Sequence, residues 1–309
     1  AGEHKVTLAI CSGVPNPVWT VHSHHKNFEK MKSHLHSART AGTSYRHEHM
    51  PSIVGYKGLL VHPPEAKEAE LVVGQETKEL QKLLLETAPE GLISDALRQK
   101  ILQAIESTSV PLQTESAPRQ ETNLMAKHYA PKLNLGRRNF NPTVQSSNNC
   151  YNYANDKITN SYAQPGTASG APFKSITAKA MLRASESVGL VKLGVAPKDP
   201  CPKAPQQPKC LVALVVAEEI SFYLIRCSQP FLLSLLCCLR VNFHWYRLDD
   251  NGRWFHTPGP SPATIYDGKG KLIYDPRKAA NSKHGPHYQF VSFTEIFTNI
   301  IDGPDGPHS

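Results

Sequence analysis

From Ser107 to Asn123 the chain is rich in Ser, Thr, Gln and Glu and shows no apolar period. A segment of that composition buries too little apolar surface to offset the entropy of ordering it, which predicts a polar linker over residues 107–130. No other stretch constrains the fold so much, because the residues on either side must then build separate cores. At 309 residues the chain is long enough for about two domains. Its 39% of hydrophobic residues can fill both cores, and its 25 prolines argue for many loops. The predicted fold class is α+β: a small N-terminal α+β interaction module over 1–106 and a C-terminal α+β domain over 131–309.

Before the linker, Lys5–Cys11 reads as a strand stopped by Ser12-Gly13 and the turn Pro15-Asn16-Pro17, and Trp19 and Val21 restart an extended piece. Phe28, Met31, Leu35 and Ala38 recur at helical spacing, with Gly42 as the stop. Val54–Val61 and Glu70–Val73 read as strands, and Thr77–Thr87 and Ser94–Ile105 as amphipathic helices. Nine of the fifteen histidines lie in the first 62 residues. No Asp, Glu or Cys stands at a spacing that completes a ligand set, so no metal site and no cofactor are predicted and the His-rich face is read as solvated.

After the linker, Asn148-Asn149-Cys150-Tyr151-Asn152-Tyr153 places a thiol at a predicted helix start, with Asn148 and Asn149 as N-caps. Unpaired N–H groups and the helix dipole there favour a thiolate. Ile176–Val188 reads as a helix, and the unbroken apolar run Leu211–Ala217 as a fully buried strand. Residues 220–239 are apolar enough to suggest a membrane span, but Arg226, Gln229 and Pro230 leave a clean run of only about half the ~20 residues a span needs. No membrane span is favoured. The stretch is read either as a buried element or, over 220–242, as an inserted sequence, since its composition matches nothing around it and it holds three of the seven cysteines.

Phe243-His244-Trp245-Tyr246-Arg247 follows, the natural place for a base, and Asp250-Asn251-Gly252 is a strong turn signal before Trp254 and His256. With Asn251-Gly252 as a two-residue loop, Arg247 opposes His256 and the two histidines point to opposite faces. Only an odd loop or a bulge puts His244 and His256 on one face.

The stretches around Cys150 (Asn-Asn-Cys-Tyr-Asn-Tyr-Ala-Asn-Asp, then Ala-Gln-Pro-Gly) and Phe-His-Trp-Tyr-Arg-Leu-Asp-Asp-Asn-Gly-Arg-Trp resemble a poorly characterised family of extracellular proteins that includes mollusc shell-matrix proteins. The early Cys-Ser-Gly-Val-Pro-Asn-Pro-Val-Trp and Gly-Tyr-Lys-Gly look like a module found with it. The resemblance covers most of the chain outside the linker and residues 220–239, and it implies secretion. In the family pattern the buried strand runs almost directly into Phe-His-Trp-Tyr, which is what makes 220–242 stand out as an insertion. A more distant likeness, to papain-like amidases that cleave cell walls, implies a papain-like layout for the C-terminal domain. It implies Cys150 as nucleophile, His244 as base, and His256 or an Asn as the group that orients the ring.

Other thiol fates stay open. Cys201 and Cys210 bracket a Pro-rich loop and could close it as a disulfide, or stay free. Cys150 could equally be buried or paired, since an even number of cysteines remains outside the apolar stretch. No C-x-x-C pair or zinc spacing occurs, and no Gly-x-Ser-x-Gly supports a serine hydrolase. The formal charge of +8 suits acidic matrix polymers or anionic surfaces as partners, while the scattered Lys and Arg show no track for a phosphate backbone and predict no specific nucleic acid. The chain opens at Ala1, which fits a processed or partial product. The functional expectation is a secreted matrix or surface-associated protein, such as a shell or biomineral component; the alternative is a papain-like Cys-His thiol amidase or peptidase.

Overall fold

A computed structural model describes residues 2–107, 142–205, 209–218, 242–249, 252–259, 261–281 and 285–297. The fold is α+β and holds two five-stranded antiparallel sheets. Beyond Ser107 the residues predicted as linker, and the 220–242 stretch up to Val241, lie outside the described residues.

The first sheet has the order β2 (Val18–His22), β1 (Glu3–Leu8), β4 (Leu59–His62), β5 (Glu70–Val72), β3 (Tyr45–Arg46). Alternation along β1 buries Val6 and Leu8, with Trp19 and Val61 directly across from Val6. Helices α1 (Phe28–Thr40), α2 (Lys78–Glu86) and α3 (Asp95–Glu106) supply the rest of that core. The four apolar residues of α1 spaced in the sequence are the four that it buries. Each of its large ones contributes about 1.5–3 kcal/mol on burial. Ser94 caps α3 by accepting from Leu97 N–H at 3.2 Å.

β1 ends earlier than the apolar run implies. Ala9 still exchanges backbone hydrogen bonds with Lys57 and Gly58, and beyond it the chain bends away, because Asn16 Oδ1 accepts from both Ile10 N–H (2.9 Å) and Cys11 N–H (2.8 Å). This folds residues 10–16 into a loop whose Ser12 meets the second sheet at Phe243.

That second sheet runs β6 (Val191–Lys192), β10 (Gln289–Phe297), β7 (Lys209–Ala217), β8 (Asn242–Leu248), β9 (Trp254–Phe255). β7 lies in its middle and is buried on both faces, as the unbroken apolar run demands. Cys210, Val212, Leu214 and Val216 face one core with Cys150, Phe243 and Trp245. Leu211, Ala213 and Val215 face the other, with Tyr246, Leu248, Trp254 and Phe293. Ala217 pairs directly with Asn242 at the end of the β7–β8 ladder.

One alternative left open by the sequence is decided, and one expectation needs correction. Arg247 pairs with Phe255 and Leu248 with Trp254, so five positions separate β8 from β9, not two. Gly252 N–H donates to Asp249 O and Asp249 N–H to Arg253 O, which closes this longer turn. The buried Arg247 adds to its definition. Its guanidinium binds the Asp249 carboxylate, donates to Asp156 Oδ1 and to Tyr153 O (both 2.9 Å), and stacks on the Tyr153 ring at 4.2 Å. The correction concerns the disulfide. Cys201 and Cys210 are free thiols, as is Cys150, so the Pro-rich loop is not closed covalently. Cys210 points inward from a buried strand, which leaves it turned into the core beside Ala154 O.

Candidate functional site

The helix Cys150–Ala154 exists because of its asparagines. Asn149 sits in extended backbone and accepts from Asn152 N–H at 3.0 Å, while Asn149 N–H donates to Asn152 Oδ1 at 3.0 Å: a reciprocal capping box. Asn148 Oδ1 accepts from Thr159 N–H, Asn152 Nδ2 donates to Thr159 Oγ1 at 2.7 Å, and Asn155 Nδ2 donates to Tyr151 O. All four amides are buried, so each is a structural bolt of one short helix. The helix packs on β8 through Tyr151 and Trp245, whose ring centroids lie 5.4 Å apart. Cys150 is fully buried, with its Sγ 4.0 Å from Phe243 O.

The odd turn decides where the histidines go. Extending the β8–β9 register places His256 opposite Tyr246, on the same face as His244. Their rings meet edge to face, with His244 Nε2 to His256 Nδ1 at 2.8 Å, and His256 Nε2 lies 2.9 Å from Tyr266 O. A carbonyl can only accept, so His256 Nε2 carries the proton, His256 Nδ1 accepts, and His244 Nε2 donates. His244 Nδ1 is then a bare lone pair, buried and without a hydrogen-bond partner. Tyr246 and Tyr288 complete the aromatic surround of His244 at 5.0 and 5.9 Å. The structure thus joins His244 to His256, and it does not hydrogen-bond Cys150 to either. Phe243 and Trp245 face the Cys150 core, and His244 alternates to the side of Tyr246.

The chain is 33% identical over 159 residues to insoluble matrix shell protein 1 of Ruditapes philippinarum, a match covering 51% of this chain and 84% of that protein. The chain belongs to that protein's family. No family model and no solved structure matches it.

In this shell-protein relative the electrostatics of the site are set by burial. The Cys150 thiol is pushed up to about 12 by desolvation, against the lowering effect of nearby backbone N–H groups. The stabilisation of a thiolate expected at a helix start is therefore outweighed, and the resting group is a neutral thiol. Burial also holds His256 down at about 4 and His244 well below its ordinary value, the latter helped by His256 and by Lys57. Both imidazoles are neutral at pH 7. Lys57 is itself fully buried, donates to Gly55 O at 3.1 Å, and is brought down to about 7 by desolvation. Among the described residues no cluster of His, Cys, Asp and Glu is arranged to hold a metal ion.

Four further residues shape the site and escaped the sequence reading. Ser12 Oγ donates to Phe243 O at 3.2 Å and lies 3.0 Å from Tyr288 Oη, while Asn149 Nδ2 and Gln164 Nε2 both donate to Gly13 O at 2.9 Å. Gln164 lies in the Ala-Gln-Pro-Gly motif and Ser12-Gly13 in the early Cys-Ser-Gly-Val-Pro stretch, so both were visible as motif members without a role. Nothing local marks Tyr288. A small cleft of about 10 Å³, lined by Ser52, Val54, Tyr246, His256, Tyr266 and Tyr288, reaches His256.

Proposed function

We propose that the chain is a secreted, extracellular shell-matrix component with an N-terminal interaction module (1–106), a linker (107–130) and a C-terminal domain (131–309). The observation that carries this reading is the 33% identity to an insoluble matrix shell protein across 84% of its length. The net charge of +8 supports acidic matrix polymers or anionic mineral surfaces as partners, held by attraction that solvent ions screen over about 10 Å at 0.1 M salt. No helix of the described residues is long and apolar enough to cross a membrane. The test is retention of the purified chain on polyaspartate-coated and carbonate surfaces across a salt series. Release at moderate salt is expected; retention that ignores ionic strength, or no retention, overturns the proposed partners.

A second reading, a papain-like thiol amidase or peptidase with Cys150 as nucleophile, His244 as base and His256 orienting the ring, draws on the relay His244–His256–Tyr266 O. It requires a rearrangement, because the alternation along β8 turns His244 away from the core that holds Cys150. Fluorogenic peptide amides offered to the full chain test it: hydrolysis lost in Cys150→Ser and in His244→Ala supports it, and silence sinks it.

A further inference from the structure

Of the five large hydrophobic side chains exposed among the described residues, three fall within nine residues of one hairpin: Tyr266 (37%), Leu272 (36%) and Tyr274 (62%). A single exposed apolar side chain needs no explanation, but a group of them on one face marks a place of contact.

The hairpin continues the second sheet. His256, just past β9, exchanges both backbone hydrogen bonds with Thr264 (3.0 and 2.8 Å), and Tyr266 bridges to Leu272. Directly opposed residues of an antiparallel pair share a face, and so does the next residue but one. Tyr266 and Leu272 therefore stand side by side with Tyr274 one step along the arm, while Ile273 turns inward and is buried. The Arg253 guanidinium lies 4.5 Å over the Tyr274 ring and braces it from one side.

The turn is fixed from within. Asp267 Oδ1 accepts from Lys269 N–H and Lys271 N–H, and Oδ2 from Ala280 N–H, all at 2.9 Å. Gly270 takes the left-handed conformation, at φ +73°. The acid of the turn is thus directed at backbone. Lys269 and Lys271 are exposed at the tip, and among the described residues no carboxylate pairs with their side chains. A turn held this way presents its side chains with little further ordering to pay on binding.

Two ammonium groups at the tip are followed by an uncharged row of two phenol rings and one aliphatic side chain. Flat rings with a hydroxyl at the edge match the apolar face and hydroxyl rim of a sugar. Charge spacing narrows the class further. Polyaspartate or a nucleic acid carries an anion on every unit and would lay anions along the row, where the only cation is the Arg253 guanidinium already stacked on Tyr274. A polysaccharide charged on alternate sugars places an anion at the tip and a neutral ring on the tyrosines.

We propose that the hairpin of residues 264–274 is a docking surface for an acidic polysaccharide of that kind, with Lys269 and Lys271 on its anionic group and Tyr266 and Tyr274 on its sugar rings. The proposal rests on the reading of the chain as a binder of acidic matrix polymers and names the polymer class this face takes.

The test is binding of the full chain to immobilised hyaluronan, which bears a carboxylate on every second sugar, beside polyaspartate and poly(dT), at about 0.1 M and about 0.5 M salt. Wild type is expected to hold hyaluronan more tightly than either control and to keep part of that binding at the higher salt. Tyr266→Ser/Tyr274→Ser should weaken hyaluronan about tenfold or more at both salts and leave polyaspartate unchanged. Tyr266→Phe/Tyr274→Phe, which keeps both rings, should retain most of the affinity. Lys269→Gln/Lys271→Gln should cost about two- to fivefold at low salt and almost nothing at high salt. Wild-type binding of hyaluronan by the Ser pair overturns the proposal. So does an equal loss on hyaluronan and polyaspartate, or tighter binding of poly(dT). Retention on polyaspartate with no preference for hyaluronan removes the glycan and leaves the acidic-partner reading standing, whereas no retention on any of the three removes both.

Discussion

Asn149 concentrates three duties in one buried side chain, and they can be separated by substitution. Its Oδ1 caps the Cys150 helix, and its Nδ2 donates to Gly13 O at 2.9 Å and to Ala163 O at 2.8 Å. Asn149→Ser keeps a good cap and removes both donors. Ala163 O then loses a donor in a buried place, which costs about 1–3 kcal/mol, and Gly13 O keeps Gln164 and loses about 0.5–1.5 kcal/mol. The sum is about 2–4 kcal/mol. Asn149→Ala removes the cap as well and should cost about 1 kcal/mol more. Urea unfolding followed by tryptophan fluorescence reads both, since Trp245 lies in the same core. If Asn149→Ser unfolds at the wild-type midpoint while Asn149→Ala does not, the asparagine is only a helix cap, and its tie between the two sheets contributes nothing.

Acid should weaken the protein through its buried imidazoles. His256 is held at about 4 in the folded state against an ordinary 6.5. The unfolded chain thus binds the proton first, and stability present above pH 6.5 is lost as pH falls toward 4, by about 3 kcal/mol for this group. Urea midpoints between pH 7.5 and 4.5 should show the loss, and His256→Asn should flatten the slope. Lys57 works in the same sense at higher pH. Neutral when folded and charged when unfolded, it lowers stability increasingly as pH falls from 10.5 to about 7. Lys57→Met should accordingly gain about 4 kcal/mol at pH 7 and almost nothing at pH 11, and an equal gain at both would refute its desolvation. Arg247→Met should cost about 3–5 kcal/mol by stranding the Asp249 carboxylate in the core, with Arg247→Met/Asp249→Asn recovering part of it in thermal melts.

What the sequence made legible was whatever repeats along the chain. The spacing of Phe28, Met31, Leu35 and Ala38 and the unbroken Leu211–Ala217 run each state their own surroundings, and the structure agrees. The Cys150 helix start was readable from Asn149, because a capping box is local chemistry. The odd β8–β9 turn was not. Asn-Gly favours two-residue loops, but the buried ion pair of Arg247 with Asp249 and the Asp249–Arg253 bond hold a longer one. The loop on Cys150 was hidden for another reason: Ser12 and Cys150 meet across more of the chain than any periodicity spans. Lys57 was hidden too, since a lysine between glycines reads as solvent-facing until its burial is seen.

The direct pairing of Ala217 with Asn242 has an evolutionary consequence. Two chain ends held one strand spacing apart let the gene lengthen or shorten what joins them without disturbing the sheet, since doubling a flexible connection costs only about 0.6 kcal/mol. A change in the length of that connection therefore leaves the β7–β8 ladder in register.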